Sequence, residues 1–200
     1  MRGAYKMANK IKYGLSRVYY AKATIDSSTG TASYATPVAL PGAVSLSMDP
    51  SGDSNKFYAD NVAYATFAAN AGYEGELEIA LISDDFRKDI LGEVVDSDIQ
   101  IEKASSTTHP FALLFQFEGD EDATRHVFYN VTAARPNVGS KTTEESVEVQ
   151  TETLKLQCGS IFNTKLDENI VKGKIADKTK QAYTDWFNSV HQPSSGGSST

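Results

Sequence analysis

Phe111-Ala112-Leu113-Leu114-Phe115-Gln116-Phe117-Glu118 and Arg125-His126-Val127-Phe128-Tyr129-Asn130-Val131-Thr132-Ala133 decide the fold class. In the first run Phe111, Leu113, Phe115 and Phe117 recur at the two-residue period of a strand. In the second, Val127, Tyr129 and Val131 alternate with His126, Phe128 and Asn130. Gly119-Asp120-Glu121-Asp122 between them is a turn signal. Two strand-period runs around a short acidic turn predict an antiparallel β-hairpin.

The same reading extends in both directions. Upstream, residues 15–25 carry Val18, Tyr19 and Tyr20 and predict a strand that stops at the turn cluster Asp26-Ser27-Ser28-Thr29-Gly30. An extended run through Tyr34 and Val38 to Leu40 is bracketed by Pro37 and Pro41, which suits an edge or irregular strand. Residues 43–48 alternate and close on Asp49-Pro50-Ser51-Gly52-Asp53, a loop signal. Residues 55–73 are rich in alanine and follow neither period, so an extended excursion between strands is expected there. In residues 76–82, Leu77, Ile79 and Leu81 share one strand face while Glu76 and Glu78 begin the other. Ser83-Asp84-Asp85-Phe86 then opens a short helix. Ser83 can cap free N–H groups, the aspartates suit the positive end of the dipole, and Gly92 supplies a stop.

Downstream, residues 146–158 form a long strand with a fault in phase. Val147 and Val149 are apolar at odd positions, Leu154, Leu156 and Cys158 at even ones. A β-bulge near residues 151–153 would explain the shift, as would contact with two different partners along the strand. Thr179, Ala182, Tyr183, Trp186, Phe187 and Val190 recur at helical spacing and predict a C-terminal helix whose aromatic stripe packs on the core. The last residues, QPSSGGSST, read as a flexible tail. The fold class is therefore α+β, mainly antiparallel β, arranged as a sandwich or barrel with a short helix and a C-terminal helix.

Composition narrows the function. The 200 residues are 40% hydrophobic and carry a formal net charge of -7; mean hydropathy is -0.36. These values fit a globular chain with a core and lack the basic excess of a general nucleic-acid binder. No apolar run approaches the ~20 residues of a membrane-spanning helix. Residues 1–14 contain no apolar core of a secretory signal, and a second possible start lies at Met7, so residues 1–6 read as either an upstream extension or a cloning remnant. The single cysteine, Cys158, cannot pair internally and sits in an apolar run, as a small buried hydrophobe in a reducing cytoplasm would.

Motifs for chemistry are missing. There is no phosphate-cradling glycine loop, HExxH, EF-hand loop or G-x-S-x-G. His109, His126 and His191 share metal-ligand spacing neither with one another nor with Cys158. The 118–122 acidic turn does not match the alternation of a calcium loop, and a solvated hairpin tip explains it. Asp84-Asp85 and Asp96 with Asp98 could supply carboxylates for glycoside hydrolysis, but helix capping accounts for the first pair. The sequon Asn130-Val131-Thr132 lacks a secretory context. The expectation is a protein without cofactor or metal, and not an enzyme.

Several stretches in order carry a resemblance. They are Phe57-Tyr58-Ala59-Asp60-Asn61 with Gly72-Tyr73-Glu74-Gly75-Glu76-Leu77; Phe86-Arg87-Lys88-Asp89-Ile90-Leu91-Gly92; and the two hairpin runs with Gly119-Asp120 between them, continued by Ala134-Arg135-Pro136 and residues 144–156. Together they resemble the major tail protein of long, flexible, non-contractile phage tails, the type found in phages of Gram-positive bacteria. The resemblance covers residues 8–190 and leaves residues 1–7 and 191–200 as flexible termini. It implies a tail-tube β-sandwich or barrel that forms stacked hexameric rings, in which strands of six subunits join into one inner barrel and a long loop reaches the adjacent ring. It further implies tape-measure, tail-terminator and tail-tip proteins as partners, DNA only in transit, no membrane, and a place in the virion after assembly in the host cytoplasm.

Three readings of the residues accord with this. Closing a sheet across sister copies removes exposed edges. Ordered loops as long as residues 48–71 usually have a task, and Phe57, Tyr58, Tyr64 and Phe67 are candidate inter-ring anchors there; alternatively those rings fill their own subunit's core. Six copies at -7 give about -42 per ring. Glu76, Glu78, Glu148 and Glu152 are candidates for an acidic lumen that DNA would slide past. The competing readings are a carbohydrate- or receptor-binding β-module of a baseplate, marked by exposed aromatics around a groove, and a glycosidase, marked by a deep cleft with opposed carboxylates.

Overall fold

The computed structural model describes residues 14–52, 54–59, 62–68, 71–118, 122–140, 142 and 150–193; for 54–59 and 62–68 it gives the strand pairing alone. In chain order the elements are β1 (Leu15–Ile25), β2 (Ala32–Tyr34), β3 (Val38–Ala39), β4 (Ala43–Ser51), β5 (Ser54–Ala59), β6 (Val62–Ala68), β7 (Gly72–Ile79), α1 (Asp84–Asp89), β8 (Val94–Asp96) and β9 (Ile99–Ile101). There follow β10 (Phe111–Phe117), β11 (Arg125–Ala133), β12 (Glu152–Gly159), β13 (Ile161–Asn163), β14 (Glu168–Ile170), β15 (Lys172–Ile175) and α2 (Gln181–Thr184). The class is α+β, dominated by antiparallel sheet.

Among the described residues nine strands join one sheet. Its path runs β2-β1-β10-β11-β12-β7-β4, with β3 also on β1 and β15 also on β11. The path is open. Among the described residues it does not close by hydrogen bonds, although β1 and β4, from opposite ends of the path, approach each other. The predicted hairpin is its centre: β10 pairs with β11 from Phe111↔Val131 to Gln116↔Arg125. One edge of β11 serves two strands in turn, β15 along Arg125–Phe128 and β12 along Asn130–Ala133.

The sheet has a core on both faces of one half. Val18, Tyr20, Phe111, Leu113, Phe115, Phe128, Leu154, Leu156, Leu77 and Ile79 share one cluster with Phe86, Ile90 and Leu91 of the α1 segment. Ala21, Ala112, Leu114, Val127, Tyr129, Ile161 and Trp186 form a second cluster on the opposite face. Every residue from Phe111 to Gln116 is therefore buried, which turns the expected one-sided alternation of β10 into a two-sided core strand. A bulge lies in β11, where the register shifts between the Phe111 and Leu113 pairings. It carries Val131 to the face of Phe128, away from Val127 and Tyr129. By contrast β12 keeps one phase from Glu152 to Gly159, and its register against β7 is unbroken. No register shift falls within β12 from Glu152 onward, and Val147 and Val149, whose phase suggested a bulge near residues 151–153, lie outside the described residues.

The helix signals fare unequally. Ser83 caps α1, its Oγ accepting from Phe86 N at 3.3 Å, and Asp84 and Asp85 occupy the first turn. Gly92 takes φ +74, and a Cβ there would lie 2.6 Å from the Thr107 carbonyl. The C-terminal helix shrinks to four residues, with no side-chain cap at Lys180. Tyr183 and Trp186 are nevertheless buried, and Phe187 and Val190 pack against the second cluster. Arg125 holds this segment in place: it donates to Gln116 Oε1 at 3.0 Å and to the Tyr183 carbonyl, and its guanidinium lies 3.8 Å from the Tyr183 ring centroid. Burial lowers its pKa from the usual arginine value.

Two further expectations change. Leu81 is 71% exposed because β7 ends at Ile79, and Ile82 is the residue that turns inward. The excursion of residues 55–73 is a paired ribbon. β4 continues through Asp49 and Pro50 to Ser51 opposite Gly72; proline is tolerated there because β4 is an edge strand. β5 and β6 then pair with each other from Ser54↔Ala68 to Ala59↔Val62. Gly72 joins the two parts at φ +116, where a Cβ would come within 1.9 Å of the Cys158 carbonyl.

Candidate functional site

The half of the sheet formed by β4, β7 and β12 is covered on one face only. Register defines what the other face carries. Ser45 pairs with Glu78, and Glu78 with Thr153. Ser47 pairs with Glu76, and Glu76 with Lys155. Asp49 pairs with Glu74, Glu74 with Gln157, and Gln157 with Thr132 of β11. Directly paired residues point to the same side of a sheet, so these three rungs make one polar face. The intervening pairs, Leu46 with Leu77 and Leu77 with Leu154, face the first core cluster.

Four carboxylates, Asp49, Glu74, Glu76 and Glu78, share that face with one cation, Lys155. Glu74 and Glu76 are exposed. Glu78 is the anchored member: Ser45 Oγ donates to one carboxylate oxygen at 3.0 Å and Thr151 Oγ1 to the other at 2.7 Å. Asp49 stands directly opposite Glu74, a like-charge pair that costs about 0.2–1 kcal/mol relative to neutral neighbours. Selection for stability alone would not favour that rung. A groove of ≈ 440 Å³ runs over it, lined by Ser47, Asp49, Glu74, Glu76, Lys155 and Gln157. The three rungs carry no aromatic side chain.

No family model and no curated protein matches the chain. Among solved structures it is similar to one chain of a cryo-EM structure of the anti-feeding prophage (AFP) baseplate, 6-fold symmetrised, at TM-score 0.45 and 12% identity, over 85% of this chain and 97% of that one. A likeness of that size fixes neither the fold nor the role of this chain.

The residues singled out from the sequence fall into three groups. Glu76 and Glu78 meet on the polar face, joined by Asp49 and Glu74. Glu152 does not join them. It pairs with Ile79 on the core-facing side, accepts from Ile82 N at 2.6 Å and binds Arg87 Nη2 at 2.6 Å. Its role is to tie α1 and the end of β7 to β12, so its assignment to the acidic lining is corrected. Glu148 lies outside the described residues. Phe57 and Tyr58 are on β5, Tyr64 and Phe67 on β6, with Phe57 opposite Ala65 and Phe67 opposite Asn55; their side chains also lie outside the described residues. Asp49 was hidden by its neighbour Pro50, which reads as a loop residue. Glu74 was within reach, since it shares the parity of Glu76 and Glu78.

Cys158 is buried on the core-facing side of β12, and burial pushes its thiol pKa up to about 11. Burial likewise raises the Tyr129 phenol to about 12.

Proposed function

We propose that this chain is a structural, non-enzymatic subunit of a phage tail tube, assembling into stacked hexameric rings whose bore conducts DNA. The observation that carries the reading is the one-sided acidic face of β4, β7 and β12 beside an outer edge of β4 that pairs with no strand among the described residues. Such an edge invites a partner strand, and sister copies supply one to every subunit of a ring, with no edge left over, when the contact is head-to-tail and the rotation closes. The acidic rungs then line a bore. A DNA duplex passing within about a Debye length, ~10 Å at 0.1 M salt, meets like charge and does not stick. Ring number six and the inner barrel come from the resemblance of the sequence to major tail proteins. The β5–β6 hairpin, which continues beyond the sheet from the end of the β4–β7 pair, is the element that reaches the adjacent ring.

Negative-stain microscopy of the concentrated protein tests this. Hollow rings or tubes are the expected result, and a Tyr58→Asp, Phe67→Asp double variant should remain folded while tube growth stops. A wild-type chain that stays a monodisperse monomer at millimolar concentration would refute the reading. Normal-length tubes from the double variant would refute the role of the hairpin alone.

A further inference from the structure

The two ends of the sheet differ in surface chemistry. Register places Gly14, Leu15, Phe117 and Arg125 at one end. It places Ala133, Glu152 and Ile79 at the other, where the chain passes into α1 and the β8–β9 hairpin. That α1 end gathers exposed apolar side chains: Val44 (53% exposed), Leu81, Val95 (58%) and Ile99 (63%). Leu81 follows Ala80, whose N–H donates to the Gly42 carbonyl at 2.8 Å, and Val44 lies two residues after Gly42. Gln100 of β9 ties the hairpin to α1 by donating to the Asp84 carbonyl at 3.3 Å. The same segment carries exposed Asp84, Asp85, Asp96 and Asp98, against the exposed cations Lys88 and Lys103. β8 and β9 pair only with each other among the described residues, so the hairpin offers open strand edges as well.

The chain holds a segment of matching chemistry. Residues 1–13 contain Arg2, Lys6, Lys10 and Lys12 and no acidic residue. From Tyr5 onward the odd positions carry Tyr5, Met7, Asn9, Ile11 and Tyr13, and the even ones Lys6, Ala8, Lys10 and Lys12, so only Ala8 and Asn9 depart from the alternation. That is the two-residue alternation of a strand with an apolar side and a basic side. The segment joins the fold at Gly14, the end of the sheet remote from α1, whose carbonyl accepts from Glu118 N at 2.8 Å.

We propose that residues 1–13 of one copy dock in extended form on the α1 end of a second copy, the apolar side on Val95, Ile99 and Leu81 and the lysines among the aspartates of that segment. This rests on the self-assembly reading above. Strand addition to a free edge supplies backbone hydrogen bonds, and the alternating side chains set the register. Because donor and acceptor surfaces lie at opposite ends of the same chain, the contact is heterologous and propagates from copy to copy. Opposite charge speeds the encounter and makes the contact sensitive to salt.

A disulfide trap in the full chain tests it, with Ile11→Cys and Ile99→Cys together under mild oxidation, alongside sedimentation. The expected result is a ladder of covalent dimers and higher multimers that collapses on reduction. A monomer-sized, internally linked product overturns the proposal in favour of docking within one copy. Assembly without any cross-link overturns the docking site and leaves the tube reading standing, whereas a chain that never assembles overturns both. Independently, Lys10→Glu with Lys12→Glu should weaken self-association about tenfold at low salt, and adding Asp84→Lys with Asp96→Lys should recover most of it. Unchanged association in the first variant contradicts the assignment.

Discussion

One sheet contains two unlike halves. Around β10, apolar residues fill both faces: Leu113 and Phe115 look into one cluster, Ala112 and Leu114 into the other. Around β7, Leu77 and Ile79 are buried while Glu74 and Glu76 stand in solvent on the reverse. The first half is the stability of the fold, shielded by the α2 segment and the β13–β14 hairpin. The second half gives up that shielding and accepts an Asp49–Glu74 like-charge rung. Under the tube reading, this uncovered and predominantly acidic surface beside the outer edge of β4 is where assembly and passage of a polyanion would act.

The contrast can be broken by mutation. The largest effect is expected in the covered half: Leu114→Ala should lower unfolding free energy by about 2–5 kcal/mol, read from the denaturant midpoint at unchanged slope. A loss below about 1 kcal/mol would mean that the second cluster is no core. Glu152→Gln comes next, because it weakens the Arg87 ion pair and the acceptor of Ile82 N; a loss of about 1–2 kcal/mol is expected. Its neighbours on the polar face should behave oppositely. Glu74→Gln relieves the repulsion with Asp49 and should stabilise the isolated chain by a few tenths of a kcal/mol, within about 0.5. A destabilisation above about 1 kcal/mol would place Glu74 among structural residues with Glu152.

The smallest effect is on Cys158. A thiol raised from 9.0 to about 11 is about a hundredfold poorer in thiolate at pH 8. Native protein should therefore react with a thiol reagent at least that much more slowly than protein in denaturant. The folded pKa lies above the unfolded one, so this contribution to stability is complete below pH 9 and is lost as pH rises through about 11. Rapid labelling at pH 8 without denaturant would show that β12 opens locally.

Much of this division was legible in the residues, and its failures share a cause. The β10–β11 hairpin, β1 and the capped α1 follow from local signals, namely period, turn residues and a serine ahead of two aspartates. Which face of a strand meets which partner is not local. Glu152 has the parity of Leu154, Leu156 and Cys158 and so belongs on their side; grouping it with Glu148 as an acidic candidate passed over that parity. The bulge in β11 has no marker in its own sequence, because Val127, Tyr129 and Val131 read as one stripe. The C-terminal stripe was read correctly for burial and wrongly for length. Its aromatic rings are held by Arg125 and the second cluster, not by helix hydrogen bonds along the whole run.

The central claim concerns where the acidic face points once copies assemble. Cryo-electron microscopy of tubes grown from the purified protein, reconstructed to side-chain detail, reads it directly. The rungs of Asp49, Glu74, Glu76 and Glu78 should line the bore, with β4 hydrogen-bonded to a strand of the next copy. Tubes in which those rungs face outward, or are buried beneath a neighbour, would contradict the account.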